Sequence, residues 1–355
     1  MKKIYSNSMH GICPVPLRKY PRVVLGHGSG GQMTQELIKN LFLPAFSAES
    51  VELTDAAVVP MPFDLGKQLV ITTDSFVVNP LIFPGGDIGS LAVHGSVNDL
   101  VMMGATPLYL SVGFILEEGL PMETLTFIVQ SMAAAAKKSG VTIITGDTKV
   151  VEKKHGDGVY INTSAIGVIR SYVYPHPRLI QPGDVILVNG TLGDHGMAIM
   201  SVRENLRFET TIKSDSAPLH HIVSTLLAAC PNVHALRDLT RGGLAAGLNE
   251  LSQDAHVGMI IDEEKLPIRV QVKSSCEIMG FDPVHIANEG KFVAILPKSQ
   301  AQIAIKSLKN DPLGKKAAII GEVTADHPGV VIGITRIGSK RVIDMPPGEL
   351  LPRIC

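Results

Sequence analysis

The sequence has no tryptophan, only 5% aromatics, and four cysteines among 355 residues. Its cores must therefore be built from Ala, Val, Ile, Leu and Met, and a hydrophobic content of 45% supplies them in quantity. Cys13, Cys230, Cys276 and Cys355 lie far apart and form no C-x-x-C pair, so neither a disulfide scaffold nor a structural zinc site is expected. Isolated cysteines are ordinarily small buried apolar residues, which is the expectation for Cys230 and Cys276. The formal net charge is −1 and no long block of one sign occurs, which argues against a nucleic-acid groove or a polybasic membrane patch. No apolar run approaches the roughly 18 residues needed to span a bilayer. Met1-Lys2-Lys3-Ile4-Tyr5 is basic but lacks a following apolar stretch, so no secretory signal is read and a cytoplasmic location is expected.

What is present favours two domains by length alone. Residues 1–21 are polar, contain proline and show no periodicity, and are read as an extension. Residues 22–172 and 173–340 are the expected domains, divided by the stretch 171–181, which holds Pro175 and Pro177 with Pro182 beside it. Strands are predicted at 68–73, 107–116, 141–145 and 159–170, with helices at 29–42, 87–103 and 121–139 between them. The second half reads as strands at 183–188, 258–261, 291–296 and 317–323, with helices at 193–205, 217–229 and 241–253. Mixed elements in both halves predict α/β and α+β domains. Residues 341–355 carry Pro346, Pro347 and Pro352 and are expected to form an extended, mobile tail without a core of its own.

Two kinds of motif point to phosphate chemistry. Gly26-His27-Gly28-Ser29-Gly30-Gly31 follows a strand and opens a helix, and it fits G-x-G-x-x-G with Glu52 near the spacing of a ribose-binding acid. The same glycines serve equally as a hinge with Ser29 as a helix N-cap, or as a flap closing over phosphates. The second kind is a set of acids beside small residues: Asp55, Asp74, Asp99, Asp147 in Gly146-Asp147-Thr148-Lys149, and Asp238 in Arg237-Asp238-Leu239-Thr240-Arg241-Gly242-Gly243-Leu244. Hard oxygen ligands suit Mg²⁺, which is held by one or two carboxylates plus substrate phosphates, and nearby glycines let backbone N–H groups approach phosphate oxygens. No G-x-x-x-x-G-K-[ST] pattern occurs, so an ATP site must use another architecture. Among twelve histidines no H-E-x-x-H spacing is found, not even around the His220-His221 pair. His27 and His94, each in a glycine-bearing motif, are the histidines expected to line a site.

The ending Glu349-Leu350-Leu351-Pro352-Arg353-Ile354-Cys355 excludes a C-a-a-X box, because the cysteine is last. Nine residues beyond Pro346 span roughly 30 Å when extended, enough to carry Cys355 from solvent into a cleft.

Together, His27-Gly28-Ser29-Gly30-Gly31, Thr73-Asp74, Val97-Asn98-Asp99-Leu100-Val101-Met102-Met103-Gly104-Ala105, Thr145-Gly146-Asp147-Thr148-Lys149-Val150-Val151, the Arg237–Leu244 motif quoted above and Pro352-Arg353-Ile354-Cys355 resemble the HypE family of hydrogenase maturation proteins, over residues 22–355. The Asn-Asp-Leu and Gly-Ala-x-Pro patterns alone resemble the wider superfamily of aminoimidazole ribonucleotide synthetase, selenophosphate synthetase and thiamine monophosphate kinase. The resemblance implies a two-domain fold of that superfamily with a flexible tail, in which residues 22–172 bind ATP and pair with a second copy in a homodimer. The implied activity is an ATP-dependent carbamoyl dehydratase. Its cysteine, here Cys355, receives a carbamoyl group from the carbamoyltransferase HypF and is dehydrated to a thiocyanate. The cyanide then passes to iron on a HypC–HypD scaffold. Glu289 is the implied base, Lys149 a candidate cation for the tail, and Asp55, Asp99 and Asp238 the first choices for Mg²⁺. Asp74, Asn98, Gly146, Asp147, Thr148 and His27 are expected to place the nucleotide. Two departures stand out: the segment before the glycine turn is longer than the family requires, and Thr54-Asp55 stands where relatives often carry paired acids. The competing readings are a sibling kinase or synthetase with a free substrate, a dinucleotide-binding oxidoreductase, and a non-enzymatic scaffold.

Overall fold

The computed structural model describes residues 31–37, 57–60, 68–169, 174–204, 211–348, 351 and 353–355. After a short helix α1 (Gln32–Leu37), the first half lays down β1 (Ala57–Pro60) and β2 (Gln68–Phe76). A small two-stranded ribbon follows, β3 (Ile82–Phe83) with β4 (Gly86–Asp87), and then α2 (Ile88–Met102), β5 (Thr106–Glu117), α3 (Met122–Ser139), β6 (Thr142–Val151) and β7 (Val159–Ile169). The main strands form one sheet in the order β1-β2-β7-β5-β6, antiparallel throughout except for the parallel β5/β6 pair. That topology removes the dinucleotide reading, which needs an open parallel sheet behind its glycine turn.

Helix α2 is the hub. It begins at Asp87, whose carboxylate accepts the N–H groups of Gly89 (2.8 Å) and Ser90 (3.2 Å), a reciprocal capping box. It is rich in apolar residues and buried around its circumference, and only Ser90 and Asp99 escape full burial. A helix of that kind belongs in a core. One flank packs on β2, β7 and β5, and the other reaches the second half of the chain.

That second half contributes β8 (Asp184–Val188), α4 (Asp194–Arg203), α5 (His220–Ala229), β9 (Ala235–Asp238), α6 (Gly243–Ala255), β10 (Gly258–Asp262), α7 (Val270–Met279), β11 (Phe292–Pro297), α8 (Ala301–Asn310), β12 (Ala318–Thr324), β13 (Val331–Ile334) and β14 (Lys340–Val342). Its sheet runs β14-β13-β10-β12-β8-β11-β9. One apolar cluster lies on the α6 side of this sheet. A larger one is continuous from the first sheet through α2 into α4, α5, α7 and α8. No helix among the described residues is long and apolar enough to cross a membrane.

Three outcomes differ from the sequence reading. The strand predicted at 141–145 continues to Val151, so the Gly146–Lys149 motif lies within a strand rather than in a loop at its end. Helices α7 and α8 were not predicted. The tail does not stand clear of the protein: Leu351 (7% exposed) and Ile354 (5%) insert into the larger core, and Cys355 packs against it.

Candidate functional site

The site forms where α2 joins the two halves. Helix α2 packs on β2 and also on β9 and α5. This brings Asp74 from β2, Asp99 from α2 and Asp238 from the end of β9 around one cation, Arg241, which remains solvent-accessible. Thr72 donates its hydroxyl to Asp99 at 2.7 Å, and the Ser75 N–H reaches Asp74 at 2.8 Å. Arg241 sits in the turn between β9 and α6, where Gly242 (φ +74°) and Gly243 (φ +61°) adopt the left-handed conformation. A Cβ on Gly243 would lie 2.6 Å from the Ile286 carbonyl, so glycine is required there.

Facing this cluster is the turn before β11. Asn288 is fully buried and donates to the carbonyls of Leu239 and Ile286, both at 3.0 Å, while accepting the Gly193 N–H at 2.8 Å. It thereby ties the Asp238 turn to Glu289. The Glu289 backbone N–H donates to Asp215 (3.1 Å), which also accepts from Lys291 at 2.9 Å in a buried ion pair. The Glu289 side chain is 3% exposed, and its Oε1 has no protein partner. Burial, followed by the charges of Asp238, Asp74 and Asp215, pushes its carboxyl well above the usual range, with Arg241 opposing. Asp74 and Asp238 are also raised, chiefly by burial.

Cys355 enters this surrounding. Burial first, then the adjacent Glu289 with which it shares a hydrogen bond, pushes its thiol well above the ordinary cysteine value, and Arg241 only partly offsets them. The docked group is therefore a thiol, not a thiolate. Such a pocket suits work on a group already attached to sulfur better than attack by the sulfur itself. Cys230 and Cys276 are buried as expected, and burial drives the Cys276 thiol up to about 12, which makes it inert.

Several expectations are corrected. Lys149 does not serve Cys355 within the chain; Arg241 does. Asp147 and Lys149 pair with each other at 3.1 Å, both largely exposed. Asp147 is in register with Gly113, and through it with the exposed Asn162, whereas Asp74 is in register with the buried Thr163. Partners across a sheet share a face, so Asp147 and Lys149 lie on the opposite face from Asp74 and three strands away, about 14 Å. Gly146 has a structural reason to be glycine, since a Cβ would sit 2.4 Å from the Val112 carbonyl. Thr148 occupies the register position opposite Phe114. Asn98 is not free for a nucleotide: its amide N–H groups reach Ala217 (3.1 Å) and Glu289 (3.5 Å) carbonyls and its oxygen takes the Leu219 N–H (2.8 Å). His94 is buried, its Nδ1 bonded to Ser216 at 3.0 Å. His27 and Asp55 lie outside the described residues.

Among the described residues no three His, Cys, Asp or Glu side chains converge closely enough to enclose a metal ion. Of the expected metal ligands that are described, Asp99 and Asp238 are thus not part of a preassembled cage. The open arrangement of Asp74, Asp99 and Asp238 does match Mg²⁺, which keeps several waters and binds through one or two carboxylates and substrate phosphates. Sequence reasoning missed Arg241 as a site residue, although it stands inside the 237–244 motif. It also missed Asp215 and Lys291, the buried pair that supports the Glu289 turn.

Residues 53–169 match the family AIR synthase related protein, N-terminal domain, and residues 181–334 match AIR synthase related protein, C-terminal domain. A carbamoyl dehydratase HypE from Cupriavidus necator is 50% identical over 338 residues, 95% of this chain and 96% of its own. The Escherichia coli K12 carbamoyl dehydratase HypE is 44% identical over 337 residues, 94% of this chain and 99% of its own. Among solved structures, a HypE–HypF complex aligns with a TM-score of 0.81 at 48% identity, covering 87% of this chain and 99% of that one. The hydrogenase maturation protein HypE in complex with ATP aligns at 0.79 and 43%, covering 93% and 98%. Thiamine monophosphate kinase from Aquifex aeolicus, at 18% identity and 0.64 over 87% of this chain and 99% of that one, shares the fold.

Proposed function

The chain belongs to the HypE carbamoyl dehydratase family, and on that premise we propose that it uses ATP to dehydrate an S-carbamoyl group on its own Cys355 to a thiocyanate. The product is the source of cyanide for the iron of a [NiFe]-hydrogenase. The observation that carries this reading is the docked tail, which sets the Cys355 sulfur against Glu289 inside the Arg241–carboxylate cluster.

In the reaction the carbamoyl carbon keeps its bonds to sulfur and nitrogen, loses oxygen, and the nitrogen gives up both hydrogens. Amide oxygen is a poor leaving group, and bound ATP supplies the phosphoryl group that makes it a good one. Asp74, Asp99 and Asp238 would hold Mg²⁺ with the phosphates, and Arg241 would balance developing negative charge. Glu289 is placed to take the nitrogen protons, and a carboxylate whose basicity is raised by burial is the better acceptor. Asn288 and the Asp215–Lys291 pair hold that base in place.

The proposal extends to partners. A HypF-type carbamoyltransferase delivers the carbamoyl group, and the complex structure of a 48% identical relative supports that partner. A HypC–HypD scaffold receives the cyanide, in the cytoplasm. The outer face of the first sheet and its β6 edge expose Ile71, Tyr109, Ile115, Ile143, Ile144 and Val150. Such a surface suits the strand-pairing face of a homodimer, toward which Asp147 and Lys149 also point.

Intact mass tests the reading. Incubation with carbamoyl phosphate and a HypF-type carbamoyltransferase should add one carbamoyl group, and Mg-ATP should then remove one water. Cys355→Ala should abolish both changes. Glu289→Gln should keep the first and slow the second by about 10²–10⁴-fold. Addition at another cysteine would overturn the assignment.

A further inference from the structure

The tail is held by contacts that avoid its sulfur. The Arg353 carbonyl accepts the Asn79 N–H at 3.1 Å and the Arg203 guanidinium at 3.2 Å. The Arg353 side chain reaches Asp157 at 2.7 Å, and its backbone is in the left-handed region at φ +51°. An arginine adopts that conformation only when its surroundings over-determine it. The Ile354 and Leu351 side chains close over Gly196, where a Cβ would come within 3.4 Å and 3.1 Å of them.

The decisive contact is His195, at the start of α4 and fully buried. Its Nε2 lies 2.7 Å from the Ile354 carbonyl oxygen, and its Nδ1 lies 2.7 Å from Ser214 Oγ. A carbonyl can only accept, so Nε2 carries the hydrogen. Burial keeps the ring neutral, so Nδ1 accepts from the Ser214 hydroxyl, whose oxygen in turn accepts the Ser216 N–H at 3.1 Å. Phe83 meets the ring edge-on with centroids 5.5 Å apart and fixes its plane. The turn 214–216 thus supports the histidine through Ser214 and the Glu289 backbone through Asp215.

We propose that His195 is a positioning residue that latches the tail by the Ile354 carbonyl, with Arg353 and Asp157 as a second catch, so that seating is independent of what Cys355 carries. A latch on the main chain one residue before the cysteine can seat the thiol, the carbamoyl form and the cyano form alike. It presents each to the same base through the same turn. This rests on the proposed function for its meaning, but not for its test, which needs neither carbamoyl donor nor ATP.

The test is tryptic cleavage of the Arg353–Ile354 bond in the full chain, together with the iodoacetamide alkylation rate of Cys355, both read by intact mass. Each rate reports the fraction of tail undocked. His195→Ala should raise both about tenfold, equivalent to about 1.4 kcal/mol. His195→Gln, which restores an N–H donor, should return them toward wild type. Asp157→Asn, at a half-buried position, should raise both about two- to fivefold, and it keeps the test open if a His195 variant does not fold. Cys355→Ala should leave tryptic protection unchanged. The proposal fails if Cys355→Ala frees the tail, since the sulfur would then be the anchor. It fails equally if folded His195→Ala is as protected as wild type.

Discussion

Burial works in opposite directions on acids and bases, and most buried titrating residues here divide accordingly, with Asp215 held down by Lys291 as the exception. Asp74, Asp238 and Glu289 are pushed up, whereas His94, His195, His220 and His285 are all pushed down. His94 is the clearest. Burial, with Lys138 and His220 adding to it, takes it from 6.5 to about 3, and its Nε2 has no partner. The unfolded chain therefore binds a proton below 6.5 that the folded chain refuses until about 3. Stability that is complete above pH 6.5 is lost as pH falls toward 3, at up to about 1.4 kcal/mol per pH unit for this residue. Urea unfolding at pH 7.5 and 5.5 should show that loss, and His94→Gln should remove its share. An unchanged difference between the two pH values in the variant would locate the effect in the other histidines.

At the scale of elements, three joints build the site: α2 against both sheets, the Gly242–Gly243 entry into α6, and the Asn288 turn. Gly243→Ala tests the second. It forces an alanine into the left-handed region and sets its Cβ 2.6 Å from the Ile286 carbonyl and 2.8 Å from that of Val284. A loss of about 2–4 kcal/mol is expected in chemical denaturation, with ATP turnover falling further because Asp238 and Arg241 flank the displaced turn. The glycines were legible as part of a motif, but the sequence reading placed them inside a helix over 241–253, whereas Gly242 and Gly243 form the left-handed entry into it. The neighbour that makes alanine impossible lies more than forty positions away and was not legible. Strand β6 shows the reverse case. Its first residues read as a strand, but the acid and glycine of the motif suggested that it stopped, and only pairing with β5 through Val151 shows that it continues.

At the scale of the whole molecule, the β6 edge of the first sheet stands out among the described residues. Strand β6 is exposed on both faces and ends the first sheet, with Ile144 at 56% and Val150 at 67% exposure. Unprotected edges and apolar faces favour association. If the homodimer forms there, Ile144→Lys combined with Val150→Lys should convert dimer to monomer in sedimentation velocity at micromolar concentration while circular dichroism stays unchanged. A variant that remains dimeric would move the interface elsewhere.

Most of the longer elements, the mixed helices and strands of both halves, and the family resemblance that singles out Asp238, Glu289 and Cys355 were readable from the chain, whereas α7, α8 and strands β9, β13 and β14 were not. Periodicity, turn chemistry and motif spacing are properties of neighbours within a few residues of one another. Only the tertiary structure decided which charges meet. It gave Cys355 the cation Arg241 instead of Lys149, and turned Asn98 from a ligand into a brace. It also set the Ile354 carbonyl of the tail against His195, a histidine outside the motifs read from the sequence. These outcomes depend on electrostatic fields and hydrogen bonds between residues 74, 99, 195, 241, 289 and 355. Those groups become neighbours only when α2, buried on all sides, draws the two sheets together around it.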